Sequence, residues 1–237
     1  MELSIALVVL ITAIIQGQIG VGLLAFGTPI LLIMGLDYLQ TLAILLPCSL
    51  ALSFLQVIEG KDFLKTVNKT DFLLLLPATA IGFLCWSFFK EELAMKPIVG
   101  IVMLVTAIIV NINKFSELLE QALKKYSRSA LVSIGLIHGL TNMGGSLLTL
   151  LSSARFNSKE NIRSYVALGY MLMAIVQITT AKLSNSSDFT IELNYVFVAL
   201  IGYLLIGKRL FTKFDDHSYK ILVQCCVVIL AVISLVL

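Results

Sequence analysis

Two short glycine-rich segments place uncharged polar side chains inside an otherwise apolar chain. The first spans residues 16–22 (QGQIGVG) and the second spans residues 138–146 (HGLTNMGGS). Amide, hydroxyl and imidazole groups can donate hydrogen bonds, and glycine lets backbone N–H groups approach a ligand closely. This combination suits the oxygen atoms of a small anion. The candidate binding residues are Gln16, Gln18, Gly20, Gly22, His138, Thr141, Asn142, Gly144, Gly145 and Ser146.

The composition places both segments in a membrane. Of the 237 residues, 59% are hydrophobic and only 13% are charged, and the mean hydropathy is +0.99. Apolar stretches recur along the whole chain, which predicts an all-α polytopic membrane protein without a separate soluble domain. The cysteines lie inside apolar segments without metal-ligand spacing, so we expect no disulfide, redox role, metal or cofactor. They are Cys48, Cys85, Cys225 and Cys226.

Hydropathy divides the chain into eight apolar blocks, and two of them contain the glycine-rich segments. Block one has 32 residues, and as a single helix it would measure about 48 Å against a hydrocarbon core of about 30 Å. Its glycines, with Pro29 downstream, predict a break into two short helices, and block five has the same problem and the same kind of break. The blocks are 3–34, 39–58, 72–89, 97–113, 129–154, 162–181, 193–211 and 220–237.

A single offset of 122 residues lays blocks one to four onto blocks five to eight, with Gly17 on Gly139 and Gly22 on Gly144. We therefore predict two transmembrane repeats, residues 1–113 and 129–237. Residues 114–128 have apolar side chains at helical spacing and a basic end. They are predicted to form a cytoplasmic amphipathic linker helix with a structural role.

The distribution of Lys and Arg predicts how the blocks cross the membrane. If all eight blocks cross, the basic residues divide into 8 and 9. If blocks one and five enter and return on the same side, 14 lie on one side and 3 on the other. The positive-inside rule favours the second arrangement, which has six spanning helices, two re-entrant hairpins, inverted repeats and both termini outside. Long kinked spans for blocks one and five are the alternative.

A helix that restarts after a break presents free N–H groups and the positive end of its dipole. Two such ends, Gly20–Leu24 and Met143–Leu147, would cradle an anion near the bilayer midplane. The alternative is that the glycines only permit close helix packing. Gln16 and His138 coincide under the 122-residue offset, which favours a shared pocket.

His138 is the only ionisable side chain among the candidates, so it could donate to the substrate or couple transport to protons. A hydrogen bond to a neighbouring helix would explain it equally well. Arg163 could attract an anion from the cytoplasm, although an interfacial arginine is the favoured interpretation. Candidate residues for the cavity or its access route are Ser49, Ser53, Gln56, Arg163, Tyr170 and Gln177.

Together these motifs resemble the sulfite exporter TauE/SafE family of membrane permeases. The resemblance rests on the first glycine break with Pro29 downstream, on residues 139–145 and on Arg163, and it covers essentially the whole chain. It implies export or uptake of small sulfur-containing or carboxylate anions, such as sulfite, sulfoacetate or related organosulfonates. Leu23 and Leu24 stand where a glycine run is usual and Ser146 where proline is frequent, so the substrate could differ from sulfite.

We therefore expect a secondary transporter, with export as the expected direction, that moves a small anion by alternating access. No ATP-binding loop is expected, so the energy would come from a gradient, with H+ and Na+ as candidate coupling ions, or from a partner protein. An anion channel and a non-transporting structural membrane protein are the alternatives. Ser146 and His138 lack an orienting carboxylate in the nearby apolar blocks, so we do not expect an enzyme.

The expected partners are the small anion and the lipid bilayer, with no nucleic acid. The sequence leaves the oligomeric state and the transported species open. The absence of a targeting extension favours a multi-pass protein of the bacterial inner membrane.

Overall fold

A computed structural model describes residues 1–68, 70–111, 121–123, 125–184 and 189–213, together with residues 215, 218, 221 and 225. Within these residues the chain is helical and contains no strand. Short helical turns at Lys61–Leu64, Thr70–Leu73 and Lys208–Phe211 and a π-helical turn at Tyr203–Gly207 flank the main helices. The main helices are α1 (Glu2–Ile19), α2 (Leu23–Ile33), α3 (Tyr38–Glu59), α4 (Leu75–Phe88), α5 (Met95–Asn111), α6 (Ser127–Thr141), α7 (Gly144–Arg155), α8 (Lys159–Ser184) and α9 (Asn194–Gly202).

Five helical stretches of the described chain are long and apolar enough to cross a membrane. This confirms the prediction of an all-α polytopic membrane protein. Helices α6 and α7 have 15 and 12 residues, which at about 1.5 Å per residue leaves each well short of a hydrocarbon core of about 30 Å. The five stretches are Glu2–Ile19, Tyr38–Glu59, Thr70–Phe88, Lys159–Ser184 and Asn194–Phe211.

Two sequence predictions fall mainly on residues that are not described. The linker helix predicted for 114–128 is described only at 121–123 and from 125 onwards, and 121–123 are helical. Of block eight, 220–237, only residues 221 and 225 are described. Both predictions therefore stay predictions.

The first glycine-rich segment breaks block one into α1 and α2, and α2 folds back along α1. Gly20 ends α1 in the left-handed conformation, with a φ of 77°. A Cβ atom on Gly22 would overlap the backbone of Thr12 and Gln16, so only glycine allows the returning helix to start this close. Glu2 at the start of α1 lines one pocket together with Leu36, which follows α2. The start and the end of this hairpin therefore lie at the same end of the bundle.

The second glycine-rich segment forms a similar hairpin from α6 and α7. Asn142 ends α6 with a φ of 68°, the only positive φ of a non-glycine residue in the described part of the chain. A Cβ atom on Gly144 would overlap Ile134 and His138, which shows that α7 returns along α6. The Thr70–Leu73 turn contacts α6, and Arg155 at the end of α7 pairs with Asp71 of that turn at 2.8 Å. This hairpin also begins and ends on one side.

The two hairpins enter the bundle from opposite ends. Glu2 and Leu36, at the open end of the first hairpin, lie near the start of α3. Phe156, which follows the second hairpin, packs against Phe63 just after α3, with ring centroids 5.0 Å apart. We call this second end the basic end. Its charged side chains include Glu59, Asp71, Arg155, Lys159, Arg163 and Lys208.

Glycines bring each hairpin into contact with a span from the other half of the chain. Gly139 of α6 packs against Thr79 and Phe83 of α4. Gly17 of α1 packs against Gly207, in the helical stretch that continues α9. Small residues allow such backbone approach between helices in membranes. The two halves are therefore interlocked, with α3 and α8 in contact between the hairpins.

Gly139→Ala is expected to destabilise the fold, because the added methyl group would overlap the backbone of Thr79. Overpacking of this kind costs about 1–3 kcal/mol. Gly27→Ala is the matched control, since its methyl group would meet only the flexible side chain of Leu45, at 3.0 Å. Thermal unfolding of the purified protein in detergent should give a clearly lower Tm for Gly139→Ala than for Gly27→Ala. Equal Tm values would show that α4 and α6 do not pack this closely.

Candidate functional site

Both hairpins end their first helix in the same way. The N–H of Gly20 donates to the carbonyl of Gln16 at 2.9 Å, and the N–H of Asn142 donates to the carbonyl of His138 at 2.7 Å. Left-handed residues close a helix in this manner, and glycine and asparagine adopt the conformation most readily. Gln16 and His138 thus occupy the same position before the break, as their sequence alignment at an offset of 122 predicts.

A glutamine from a long central helix supports each break. Nε2 of Gln56 on α3 donates to the carbonyl of Gln16 at 3.0 Å. Nε2 of Gln177 on α8 donates to the carbonyl of His138 at 3.3 Å. Each of these carbonyls also accepts the N–H of the left-handed residue that ends its helix, so the glutamine supplies a second hydrogen bond to it. The structure therefore gives these two predicted cavity residues a definite contact with the hairpins.

The helices that restart after the two breaks differ at their N-termini. In the first hairpin, Oε1 of Gln16 accepts the N–H of Leu23 at 3.2 Å, and its Nε2 donates to Ser53 at 3.3 Å. The N-cap residue supplies no side-chain hydrogen bond in either hairpin. In the second hairpin His138 is fully buried, and neither of its ring nitrogens has a hydrogen-bond partner within the described chain. His138 therefore does not cap α7 as Gln16 caps α2.

Tyr170 of α8 lies against the start of α7. A Cβ atom on Gly145 would overlap the Tyr170 hydroxyl, so the hydroxyl points at the first turn of α7. The ring of Tyr170 packs edge-on to that of His138, with centroids 5.5 Å apart. Tyr170 is fully buried, and its hydroxyl has no partner among the described residues. The start of α7, His138 and Tyr170 thus form one cluster.

A direct hydrogen bond joins the two hairpins. Nδ2 of Asn142 donates to Oγ1 of Thr28 on α2 at 2.9 Å, and both residues are fully buried. Sequence reasoning singled out Asn142 but missed Thr28. A threonine in an apolar helix carries no pattern that would reveal a partner 114 residues away.

The other predicted site residues are distributed around this junction. Thr141 accepts the N–H of Met143 at 3.2 Å, and the Ser146 hydroxyl donates to the Met143 carbonyl at 3.4 Å. Gln18 donates to the carbonyl of Gly207, so it contacts the α9 stretch. Ser49 on α3 is fully buried, and its hydroxyl has no partner in the described part of the chain.

Arg163 lies at the centre of a charged cluster at the basic end. Its Nη2 pairs with Glu59 at 3.0 Å, its Nη1 donates to the carbonyl of Gly17 at 3.3 Å, and its guanidinium stacks over Phe211 at 3.7 Å. The side chain of Arg163 is 9% exposed, more buried than the interfacial position favoured by the sequence. Lys208 also pairs with Glu59, at 2.9 Å.

Glu59 is a residue whose contacts sequence reasoning missed. Its carboxylate joins Arg163 and Lys208 and accepts the Tyr203 hydroxyl at 2.9 Å. The cluster therefore ties together α1, α3, α8 and the α9 stretch. Nothing in the local sequence around Glu59 could indicate this, because its partners come from distant parts of the chain.

The junction between the hairpins is closed to solvent. Gln16, Ser53, His138 and Asn142 are all fully buried. A groove of about 490 Å³ between α2 and α5 contains none of the candidate binding residues. The structure thus represents an occluded arrangement of the site.

Two further chemistries find no support in the structure. No group of three or more His, Cys, Asp or Glu residues suited to a metal ion occurs in the described chain. Gly202, Gly207 and Lys208 have the spacing that begins a phosphate-binding loop, but Arg209 stands where that motif has Ser or Thr. These residues form continuous helical structure rather than a loop.

The comparison with known families gives one match. A sequence model of the family described as sulfite exporter TauE/SafE matches residues 5–234. No curated protein and no solved structure matches the chain. The resemblance inferred from the glycine motifs is thereby confirmed.

The left-handed end of α6 can be tested by comparing Asn142→Ala with Asn142→Gly. Both changes remove the hydrogen bond to Thr28, but only alanine is strained at a φ of 68°. The strain costs about 1–2 kcal/mol, so we expect a lower Tm for Asn142→Ala than for Asn142→Gly. Identical Tm values would contradict the left-handed conformation.

The charged cluster at the basic end can be tested by comparing Glu59→Gln with Lys208→Gln. Glu59→Gln would leave the buried guanidinium of Arg163 without its carboxylate, and breaking a buried pair in this way costs about 3–5 kcal/mol. Lys208 has a side chain that is 53% exposed, so its loss should cost less than about 1 kcal/mol. Thermal unfolding should separate the two variants widely. Similar Tm values would show that Arg163 does not depend on Glu59.

Proposed function

The chain belongs to the sulfite exporter TauE/SafE family, and on this basis we propose that it is a secondary transporter of a small sulfur-containing or carboxylate anion. Members of this family are membrane transporters rather than enzymes. The observation that carries the proposal is the junction of two broken-helix hairpins, which enter from opposite ends and meet through Asn142 and Thr28. Paired broken helices at the middle of a bundle are the usual substrate site of secondary transporters.

We assign the membrane topology from the hairpins and the charges together. The proposed arrangement has six spanning helices, two re-entrant hairpins and two inverted repeats, residues 1–113 and 129–237, joined by the linker 114–128. The opposite directions of the hairpins and the cluster of Arg155, Arg163 and Lys208 at one end support it. The positive-inside rule then places the basic end in the cytoplasm and the amino terminus outside, in a bacterial inner membrane.

The anion would bind at the junction of the hairpins. Backbone N–H groups at the start of α7 supply donors there, and buried neutral side chains surround them. A buried site of this kind holds an anion with hydrogen bonds rather than with a fixed counter-charge. The proposed ligands are sulfite, an organosulfonate or a related carboxylate. The proposed binding residues of the second hairpin are His138, Thr141, Asn142, Gly144, Gly145 and Ser146, and the candidates of the first hairpin, Gln16, Gln18, Gly20 and Gly22, form the other side of the junction.

The charged cluster would close the site on the cytoplasmic side. Glu59 and Arg163 connect the end of α3 to the start of α8, and Arg163 also bonds to Gly17 just before the first break. Access from the basic end requires these contacts to separate, which is a discrete rearrangement of packed helices. Arg163 would then face an anion arriving from the cytoplasm, as expected for an exporter.

An anion channel uses the same donors but needs both ends open together. The burial of the junction supports a transporter over an open channel, because Gln16, His138 and Asn142 are fully buried. Flux measurements under imposed gradients of the anion, H+ or Na+ would determine the direction of transport and the coupling ion.

The proposed function predicts saturable flux of one small anion in proteoliposomes. A panel of sulfite, thiosulfate, sulfoacetate, sulfate and acetate should identify it, and Asn142→Ala should reduce its flux at least about tenfold because it disturbs the junction directly. Lys65→Gln, whose exposed side chain pairs with Asp62 away from the junction and the charged cluster, provides the control and should retain flux. Unitary channel currents would favour the channel, and the absence of flux for every anion would contradict the proposal.

A further inference from the structure

The two hairpins are similar in backbone but differ in the donors that they leave free. On the first hairpin Gln16 caps the N–H of Leu23 at 3.2 Å. At the corresponding position of the second hairpin, neither ring nitrogen of His138 bonds to a described residue, so His138 does not cap α7. Leu23 aligns with Gly145 under the offset of 122 residues. The N–H of Leu23 in α2 therefore already has a side-chain partner, whereas His138 supplies none to the aligned Gly145 in α7.

We propose that a single small oxyanion binds at the start of α7, held by the Tyr170 hydroxyl, the His138 ring and the N–H groups of Gly144 and Gly145. In the first hairpin, the amide oxygen of Gln16 occupies the position that the anion takes in the second. This inference rests on the proposed transport function and identifies which end of the junction holds the ligand. It adds Tyr170 as a residue that contacts the substrate.

The Tyr170 hydroxyl provides the evidence that is independent of the helix terminus. It is fully buried, it points at the first turn of α7, and it has no partner among the described residues. Leaving a buried hydroxyl unpaired costs about 1–3 kcal/mol, so such groups usually have a partner. A bound oxyanion at the N-terminus of α7, beside the hydroxyl, supplies that partner.

Unpartnered polar atoms lie around both breaks. On the first hairpin, Gln16 and Gln18 each donate through Nε2, to Ser53 and to the carbonyl of Gly207, and the oxygen of Gln18 has no partner in the described chain. Around the second break the unpartnered oxygens of Asn142 and Gln177 can only accept, whereas the Tyr170 hydroxyl and the His138 ring can donate. Two side-chain groups that can donate to an anion are therefore present beside α7.

The chemistry of the cluster defines the class of ligand. Its side chains carry no fixed charge, and the buried Arg163 already pairs with Glu59. Hydrogen-bond donors from three directions match the oxygens of a compact oxyanion such as sulfite, a sulfonate headgroup or a carboxylate. The Tyr170 hydroxyl fills the space beside Gly145 that a methyl group would take, so no room remains there for a bulky substituent at the anionic group.

Equilibrium binding of sulfite, sulfoacetate and acetate to the detergent-purified protein tests the inference. Tyr170→Phe removes only the hydroxyl and should raise the Kd of the bound anion about tenfold or more, as expected for a lost hydrogen bond to a charged group. Tyr38→Phe is the matched control, because its hydroxyl is also buried and unpartnered in the described chain but lies at the start of α3. Its Kd should stay within about twofold of the wild type, which is within ordinary context effects. An equal Kd for wild type and Tyr170→Phe would overturn the inference.

His138→Gln gives a second, sharper test, because it places a glutamine in the second hairpin at the position that Gln16 occupies in the first. The introduced amide is expected to cap the N–H of Gly145, as Gln16 caps Leu23, and so to occupy the position of the anion. The variant should unfold at a Tm no lower than that of the wild type yet lose binding and flux. A folded His138→Gln that binds with the wild-type Kd would overturn the inference.

Flux measured in the same preparations distinguishes a failure of the proposed transport function from a failure of the proposed anion site at α7. Wild-type flux that both variants retain would leave the transport function standing and reject the site at α7. A folded wild-type protein that neither binds nor transports any of the three anions would reject both. Flux and binding that fall together in Tyr170→Phe and His138→Gln, but not in Tyr38→Phe, would support both.

Discussion

The structure depends on supplying hydrogen-bond partners to the backbone at two helix breaks inside an apolar bundle. A break exposes carbonyl and N–H groups that no lipid can bond, so the protein must supply their partners. The left-handed residues Gly20 and Asn142 close one side of each break. Gln56 and Gln177 then bond the carbonyls of Gln16 and His138 from the central helices. Helices α3 and α8 therefore each hold one hairpin in position through a glutamine hydrogen bond.

The same constraint explains how the hairpins pack. The break between α6 and α7 exposes backbone groups that lipid cannot bond, so it must be buried in protein. Gly139 brings α6 onto α4, and Gly17 brings α1 onto the α9 stretch. Each hairpin therefore packs against a helix from the other half of the chain.

The sequence predicted the features that follow from length, hydropathy and backbone freedom. Both breaks, the all-α membrane class and the correspondence of Gln16 with His138 are of this kind. The bond from Asn142 to Thr28 and the cluster around Glu59 were not predicted, because their partners lie more than 100 residues apart in the chain. Gln56 and Gln177 were expected to line a cavity. Periodicity places them on the right face of α3 and α8, but only the fold shows that they bond the broken helices.

The differences between the two hairpins carry more functional information than their similarity. Two equal hairpins would offer two equal anion sites, whereas one transport cycle with a single substrate needs only one. Leu23 fills the start of α2 and lets Gln16 bond its N–H. Gly145 at the aligned position of α7 instead leaves room for the Tyr170 hydroxyl. The departure from the glycine-rich pattern at Leu23 and Leu24 therefore falls on the hairpin that binds no ligand in our proposal. The second hairpin keeps Gly144 and Gly145, where the anion would bind, and departs from the pattern at Ser146 in the first turn of α7, so any difference in substrate would arise there.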